Sequence, residues 1–204
     1  TAIRQQGRPW LVRCVNLVEM LDPQARFRHI TGMTPEDLYN KRLASGWTLG
    51  LATELKWLQR MIRASHATLV QRLQPHWSTT APDLVVSLIP NFNRALHDSL
   101  AVAAPGVPFV TVMTDMADLP PHFWIEPDLD QHLVCGTDHA VRQALAAGCD
   151  PHRVHQTSGM VIRPDFYQAP DHDRAAEQAR LGLDPTRPTG VVMFGGQGSM
   201  AMLT

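Results

Sequence analysis

The sequence predicts an α/β fold, a parallel sheet with helices on both faces, and three observations carry that expectation. Short apolar runs without polar alternation recur from residue 83 onward, as expected of strands buried on both faces. Stretches with helical spacing separate them, and such alternation builds a parallel sheet. Near the end, the apolar run Val191 to Phe194 feeds into Gly195-Gly196-Gln197-Gly198-Ser199 and then a helix-like Met-Ala-Met-Leu. Strand, glycine-rich turn and helix start form a cradle for phosphate, because glycines let the backbone approach the anion and the helix N–H groups favour its charge.

Taken in order, Thr1 to Gln6 reads as the tail of a helix and Leu11-Val-Arg-Cys-Val-Asn-Leu17 as a strand. A chain opening on a helix tail implies a first strand and loop ahead of Thr1. Thr34-Pro35-Glu36-Asp37 starts a helix running to about Ala44, with Thr at the N-cap, Pro at the first helical position and acids in the first turn. From Trp47 to about Leu73 the pattern is one long amphipathic helix, with Leu51, Leu55, Leu58, Ile62, Leu69 and Leu73 on one side and Lys56, Arg60 and Arg63 on the other. It reads either as a core helix or as an interfacial one with Trp47 and Trp57 at a membrane boundary.

A polar break at His76–Pro82 precedes strand Asp83 to Ile89, helix Asn93 to Ala103 and strand Pro108 to Met113. After an irregular segment come strand Gln131 to Cys135, a helix capped by Thr137 and ended by Gly148, and strand Val154 to Thr157. Residues Arg163 to Pro188, rich in Pro, Asp and Arg, form a linker with one helix at about Arg174 to Leu181.

The 204 residues fit one large domain or one and a half smaller ones. No apolar run reaches the length of about 18 that spans a bilayer, and no signal peptide is visible. Cys14, Cys135 and Cys149 have neither disulfide-framework nor zinc spacing, which fits a reducing cytosolic setting without a metal site. Residues 1–80 carry eleven Lys/Arg against five Asp/Glu, and residues 81–204 carry seven against fourteen, so a basic half (+6) precedes an acidic one (−7). The basic half fits either attraction to an anionic surface or solvated helix faces.

In open parallel sheets, ligands bind beyond the carboxyl ends of the strands. Two segments sit there: Pro90-Asn91-Phe92-Asn93, and Thr114 to Trp124, which gathers Asp115, Asp118, His122 and Trp124 on a loop stiffened by Pro120 and Pro121. Asp115 and His122 are the catalytic candidates. Pro90, Asn91, Thr114 and Trp124 are the acceptor-binding candidates, the indole serving as an apolar wall for a sugar or lipid glycerol. Gly196-Gln-Gly198-Ser-Met-Ala201 also fits the Rossmann dinucleotide fingerprint, so a nicotinamide-dependent oxidoreductase stays open. The Lys-Ser/Thr of a P-loop is absent. A third reading is a non-enzymatic membrane- or partner-binding module that uses the basic half.

Asp83-Leu-Val-Val-Ser-Leu-Ile-Pro, Phe109-Val-Thr-Val-Met-Thr-Asp115, Ser158-Gly-Met-Val-Ile-Arg-Pro-Asp-Phe166 and Phe194-Gly-Gly-Gln-Gly-Ser199 follow one another in one order. Together they resemble the monogalactosyldiacylglycerol synthase branch of the family 28 glycosyltransferases. The resemblance implies a B-type fold of two Rossmann-like domains, the first taking the lipid acceptor and the second the nucleotide sugar. By it, residues 1–162 correspond to the acceptor domain with its first strand missing, 163–188 to the interdomain linker, and 189–204 to the start of the donor domain. The implied reaction moves galactose or glucose from a uridine diphosphate sugar to diacylglycerol. It takes place peripherally at the cytoplasmic face of a membrane, with no cofactor, no essential metal and no nucleic-acid partner.

The resemblance places Gly195, Gly196, Gln197, Gly198 and Ser199 against the donor diphosphate, Thr114 and Asp115 in the acceptor domain, and Arg163, Pro164 and Phe166 at the hinge. The family's Gly-Gly-Gly-His loop would precede Thr1, and Ile89-Pro90 stands where plant members carry His-Pro. Inverting transfer needs a base for the acceptor hydroxyl and N–H groups for the departing diphosphate; Asp115 and the Gly195–Ser199 loop are the candidates. With most of the donor domain absent, these residues alone are expected to be inert.

Overall fold

The computed structural model describes residues 7–21, 51–159, 162, 164–168, 173–184 and 186–190. In their described parts they form two compact units, one of residues 13–21 and 51–159 and the other of residues 7–12 and 162–190. The first unit contains α1 (Leu17–Leu21), α2 (Leu51–Ala64), α3 (His66–Thr80), β1 (Val85–Ser87), α4 (Asn93–Ala103), β2 (Phe109–Val112), β3 (His132–Cys135), α5 (Asp138–Ala146) and β4 (Val154–Gln156). The second contains α6 (Arg174–Arg180), capped by Asp173, whose carboxylate accepts from Ala175 N at 2.9 Å. The helix expected from Thr34, Trp47, Arg163 and the Gly195–Ser199 loop lie outside the described residues.

The expected α/β Rossmann-like arrangement is the one found: four parallel strands in the order β1-β2-β3-β4, with helices packed against them. Val85 pairs with Phe109, Ser87 with Thr111, and Thr111 with Leu133. Side chains alternate along a strand, so this register puts Val85, Ser87, Phe109, Thr111, Leu133 and Cys135 on one face. That face is the core side. Phe109 clusters with Ala95, Leu96 and Leu100 of α4 and with Leu17, Leu73 and Trp77. Leu133 and Cys135 cluster with Ala140 and Ala144 of α5 and with Met113, Trp124 and Ile125.

The strand order advances in one direction, and right-handed crossovers then send α4 and α5 to the same face. On the opposite face Val110, Val112 and Val134 are half-buried and Val86 is exposed, among the described residues. Within the core, burial pushes the Cys135 thiol up to about 11, with Cys149 nearby adding to the effect.

Several elements follow directly from local chemistry. Thr137 caps α5 by accepting from Ala140 N at 3.1 Å, and Gly148, at φ +92, takes the left-handed turn after it. Two expectations need correction. Residues 11–16 form no strand, and Leu17–Leu21 is a helix instead, because Leu17, Met20 and Leu21 share the helical spacing that packs them together on the first cluster.

The single helix expected at 47–73 is, where described, two helices broken at Ser65, and α3 runs on through Pro75 into the supposed polar break. Trp77 draws that segment into the core, where its indole N–H donates to Ser99 Oγ at 2.7 Å. The hydroxyls of Thr79 and Thr80 each donate to the carbonyl four residues back, at 2.8 Å, so polar residues continue the helix instead of ending it.

Candidate functional site

The carboxyl ends of β1 and β2 meet in one hydrogen-bonded constellation. Ser87 Oγ, at the end of β1, donates to Asn93 Oδ1 at 2.6 Å, and Asn93 Nδ2 donates to the Trp124 carbonyl at 3.3 Å. The Trp124 indole N–H in turn donates to Asp115 Oδ2 at 2.7 Å. A line of bonds therefore runs from the buried hydroxyl at the end of β1 to the exposed carboxylate at the loop's start. Asp115 Oδ1 has no hydrogen-bond partner among the described residues, so one oxygen is held and the other is open to a ligand.

Asp118 shapes the rest of the loop. Its buried carboxylate accepts from His122 N at 2.8 Å and from Trp124 N at 2.6 Å, and Gln143 of α5 holds its backbone through both amide atoms, at 2.8 and 3.2 Å. Charge-assisted bonds of this kind are about twice as strong as neutral ones, so the loop is built rigid. It turns His122 outward in a left-handed conformation, φ +62. Asn91 is also left-handed, φ +67; its N–H donates to the Phe123 carbonyl at 2.6 Å, while its Oδ1 is buried and unpartnered.

Next to this edge lies a cleft of about 20 Å³, room for roughly one water, lined by Gln59, Arg63, His66, Asn91, Arg94 and His122 among others. Gln59 of α2 reaches across to donate to the Pro121 carbonyl at 3.3 Å. His66 Nε2 sits 3.0 Å from Asp98 Oδ2, and the other oxygen of Asp98 lies 2.9 Å from His97 Nδ1. Arg94 is committed to Glu126, its Nε and Nη2 donating to Oε2 at 3.1 and 2.8 Å.

The structure thus brings Asn91, Asp115 and His122 to one edge, with Pro90 half-buried and Thr114 exposed beside them. Trp124 is 1% exposed, so it sits beneath Asp115 as its support rather than along an open wall. Gly195, Gly196, Gln197, Gly198 and Ser199 lie outside the described residues. Sequence reasoning gave no role to Asn93, Asp118, His66 or Arg63. The first two had a readable signal, an Asn at a helix start and an Asp four residues before His122. The last two did not, because only packing of α2 and α3 against the edge brings them there.

The profile of the monogalactosyldiacylglycerol (MGDG) synthase family matches residues 17–162. Residues over a 127-residue stretch are 32% identical to the probable monogalactosyldiacylglycerol synthase 2, chloroplastic, of Oryza sativa subsp. indica, covering 57% of this chain and 24% of that protein. The counterpart from Oryza sativa subsp. japonica is similar to the same degree. The matched stretch therefore spans about a quarter of the length of these relatives.

Proposed function

The chain belongs to the monogalactosyldiacylglycerol synthase family, and from that premise we propose that it forms the acceptor side of a membrane-peripheral hexosyltransferase. The donor is UDP-galactose or UDP-glucose and the acceptor is diacylglycerol, used at the cytoplasmic face of a membrane. The acceptor domain is residues 1–162, the linker 163–188, and residues 189–204 begin the donor-binding domain of a family 28 enzyme with the B-type fold.

In this reading the glycerol hydroxyl oxygen attacks the anomeric carbon, its proton passes to Asp115 Oδ1, and the bond from that carbon to the diphosphate breaks, UDP leaving with the electron pair. The N–H groups of Gly195 to Ser199 hold the departing charge. His122, exposed two residues before Trp124, stands beside Asp115 as the second catalytic residue, and Asn91, Pro90 and Thr114 bind the acceptor. No metal and no cofactor takes part.

The observation that carries this reading is the geometry of Asp115. Its Oδ2 is fixed by the Trp124 indole at 2.7 Å while the side chain stays exposed at the carboxyl edge of the sheet. A base must be oriented and still reachable by its substrate, and this carboxylate is both. In the enzyme that carries this chain, Asp115→Asn should lower turnover by at least about 10²-fold while the fold survives, the range for losing a general base. A folded Asp115→Asn enzyme turning over at near wild-type rate would remove Asp115 from the mechanism.

A further inference from the structure

We propose that Asn91 holds the acceptor through one fixed water, and that this water reads an ester carbonyl of the diacylglycerol. The inference rests on the acceptor named above and deepens it, by stating which feature of that lipid the cleft recognises.

The starting point is an orphaned acceptor. Asn91 Oδ1 is the one buried side-chain polar atom without a hydrogen-bond partner among the described residues. Leaving a buried oxygen unsatisfied is costly, so a donor belongs beside it. The backbone fixes where that donor sits, because Asn91 is left-handed at φ +67 and its N–H is committed to the Phe123 carbonyl at 2.6 Å. Asn91 lines the cleft of about 20 Å³, which takes one water-sized molecule.

The rest of the lining is polar and held. Gln59 gives one amide hydrogen to the Pro121 carbonyl at 3.3 Å and keeps a second. Arg63 adds a guanidinium, which donates in every state. His66 is set by Asp98, and Asp98 by His97, whose ring meets Phe109 of the core edge-on at 5.8 Å. One orphaned acceptor facing these donors offers a water the two to four partners it needs.

The lipid's own chemistry decides what the water does. Diacylglycerol has a single hydroxyl, whose proton is the one that passes to Asp115. Its ester carbonyls only accept, as does Asn91 Oδ1. Two acceptors can share one small molecule only if it donates twice, and water does. One O–H goes to Asn91 and the other to the ester carbonyl, while Gln59 and Arg63 donate to the water oxygen. Such a bridge holds nearly as well as a direct bond. An ether-linked glycerol lacks the carbonyl and loses that arm.

The test is equilibrium dialysis of the enzyme that carries this chain against labelled dioctanoylglycerol and its dioctyl ether analogue, without nucleotide sugar. The wild type should hold the ester about fivefold more tightly, the effect of one net hydrogen bond. Asn91→Gly keeps the left-handed backbone but removes the oxygen, and should bring the ratio close to one with an unchanged circular dichroism spectrum. Asn91→Asp keeps an acceptor and should keep the preference. A crystal structure of the same enzyme should show a water oxygen about 2.7–3.2 Å from Asn91 Oδ1.

The same ratio in wild type and Asn91→Gly overturns the proposal, as does a protein group on Oδ1 in place of water. Loss of the preference in Asn91→Asp does so too, since it means that the amide N–H touches the ester directly. Equal binding of both lipids by the wild type sinks the water alone, and binding of neither removes the acceptor reading on which it rests. Since no sugar transfer is measured, an enzyme that selects the ester but moves no sugar leaves the water standing and removes only the proposed reaction.

Discussion

Trp57 and Trp77 sit on consecutive helices and meet opposite fates. Trp77 lies in the cluster with Leu73, Leu96, Leu100 and Phe109, its indole satisfied by Ser99, whereas Trp57 stands out in solvent with Arg60 over its ring. α2 and α3 are nearly equal in length, 14 and 15 residues, and both are amphipathic by pattern. Apolar residues at helical spacing therefore show that a helix has a side to hide. They do not show whether protein or something else hides it.

The largest effect that separates the two helices is thermodynamic. Trp77→Ala should cost about 3–5 kcal/mol in chemical denaturation, since it empties a core site and removes the indole bond to Ser99 Oγ, leaving that hydroxyl its donation to the Leu96 carbonyl. A loss below about 1 kcal/mol would mean that α3 is no better anchored than α2, and the contrast would collapse.

A smaller effect separates interior from surface by pH. Cys135 titrates at about 11 in the fold against 9.0 unperturbed, so the folded state keeps its proton while the unfolded thiol ionises. Its contribution is intact below pH 9 and is lost as pH rises through about 11, an effect on the order of 2 kcal/mol. Denaturation midpoints should therefore fall over that window, and fall less in Cys135→Ala. Identical pH slopes in the two proteins would remove this thiol from the balance.

Smallest of all, Trp57→Ala should change stability by no more than about 1 kcal/mol, the reach of an exposed stacking with Arg60. A cost near that of Trp77→Ala would show that Trp57 is packed against protein, which would sharpen the comparison in the opposite direction.

The strands were legible because both signals they needed are local. Apolar runs at 83–89, 108–113 and 131–135 contain β1, β2 and β3, and the Thr137 cap locates α5 to the residue. The helix at Asn93–Ala103 coincides with its expected bounds. Misjudged elements were those decided by distant partners. Residues 11–17 have strand composition, yet Leu17 is drawn into a helix by the core, and α3 continues through Pro75 because Trp77 must reach Ser99. At the site, Asp115, His122 and Asn91 were visible as polar groups at strand ends. Of their supports, Asp118 holds amides four and six residues on, within reach of a local reading, whereas Asn93 and Gln143 reach the loop across 31 and 25 residues, which no local pattern encodes.

The bonds from Ser87 through Asn93 and Trp124 to Asp115 bear on any attempt to transplant this site. A designer who moved residues 114–124 onto another parallel sheet would carry the carboxylate and its indole but leave behind the serine and the asparagine that aim them. The smallest portable unit is instead two neighbouring strands, the helix that starts between them and the loop, copied in register. Within that unit the aim of one exposed carboxylate is inherited from a hydroxyl buried in the adjacent strand.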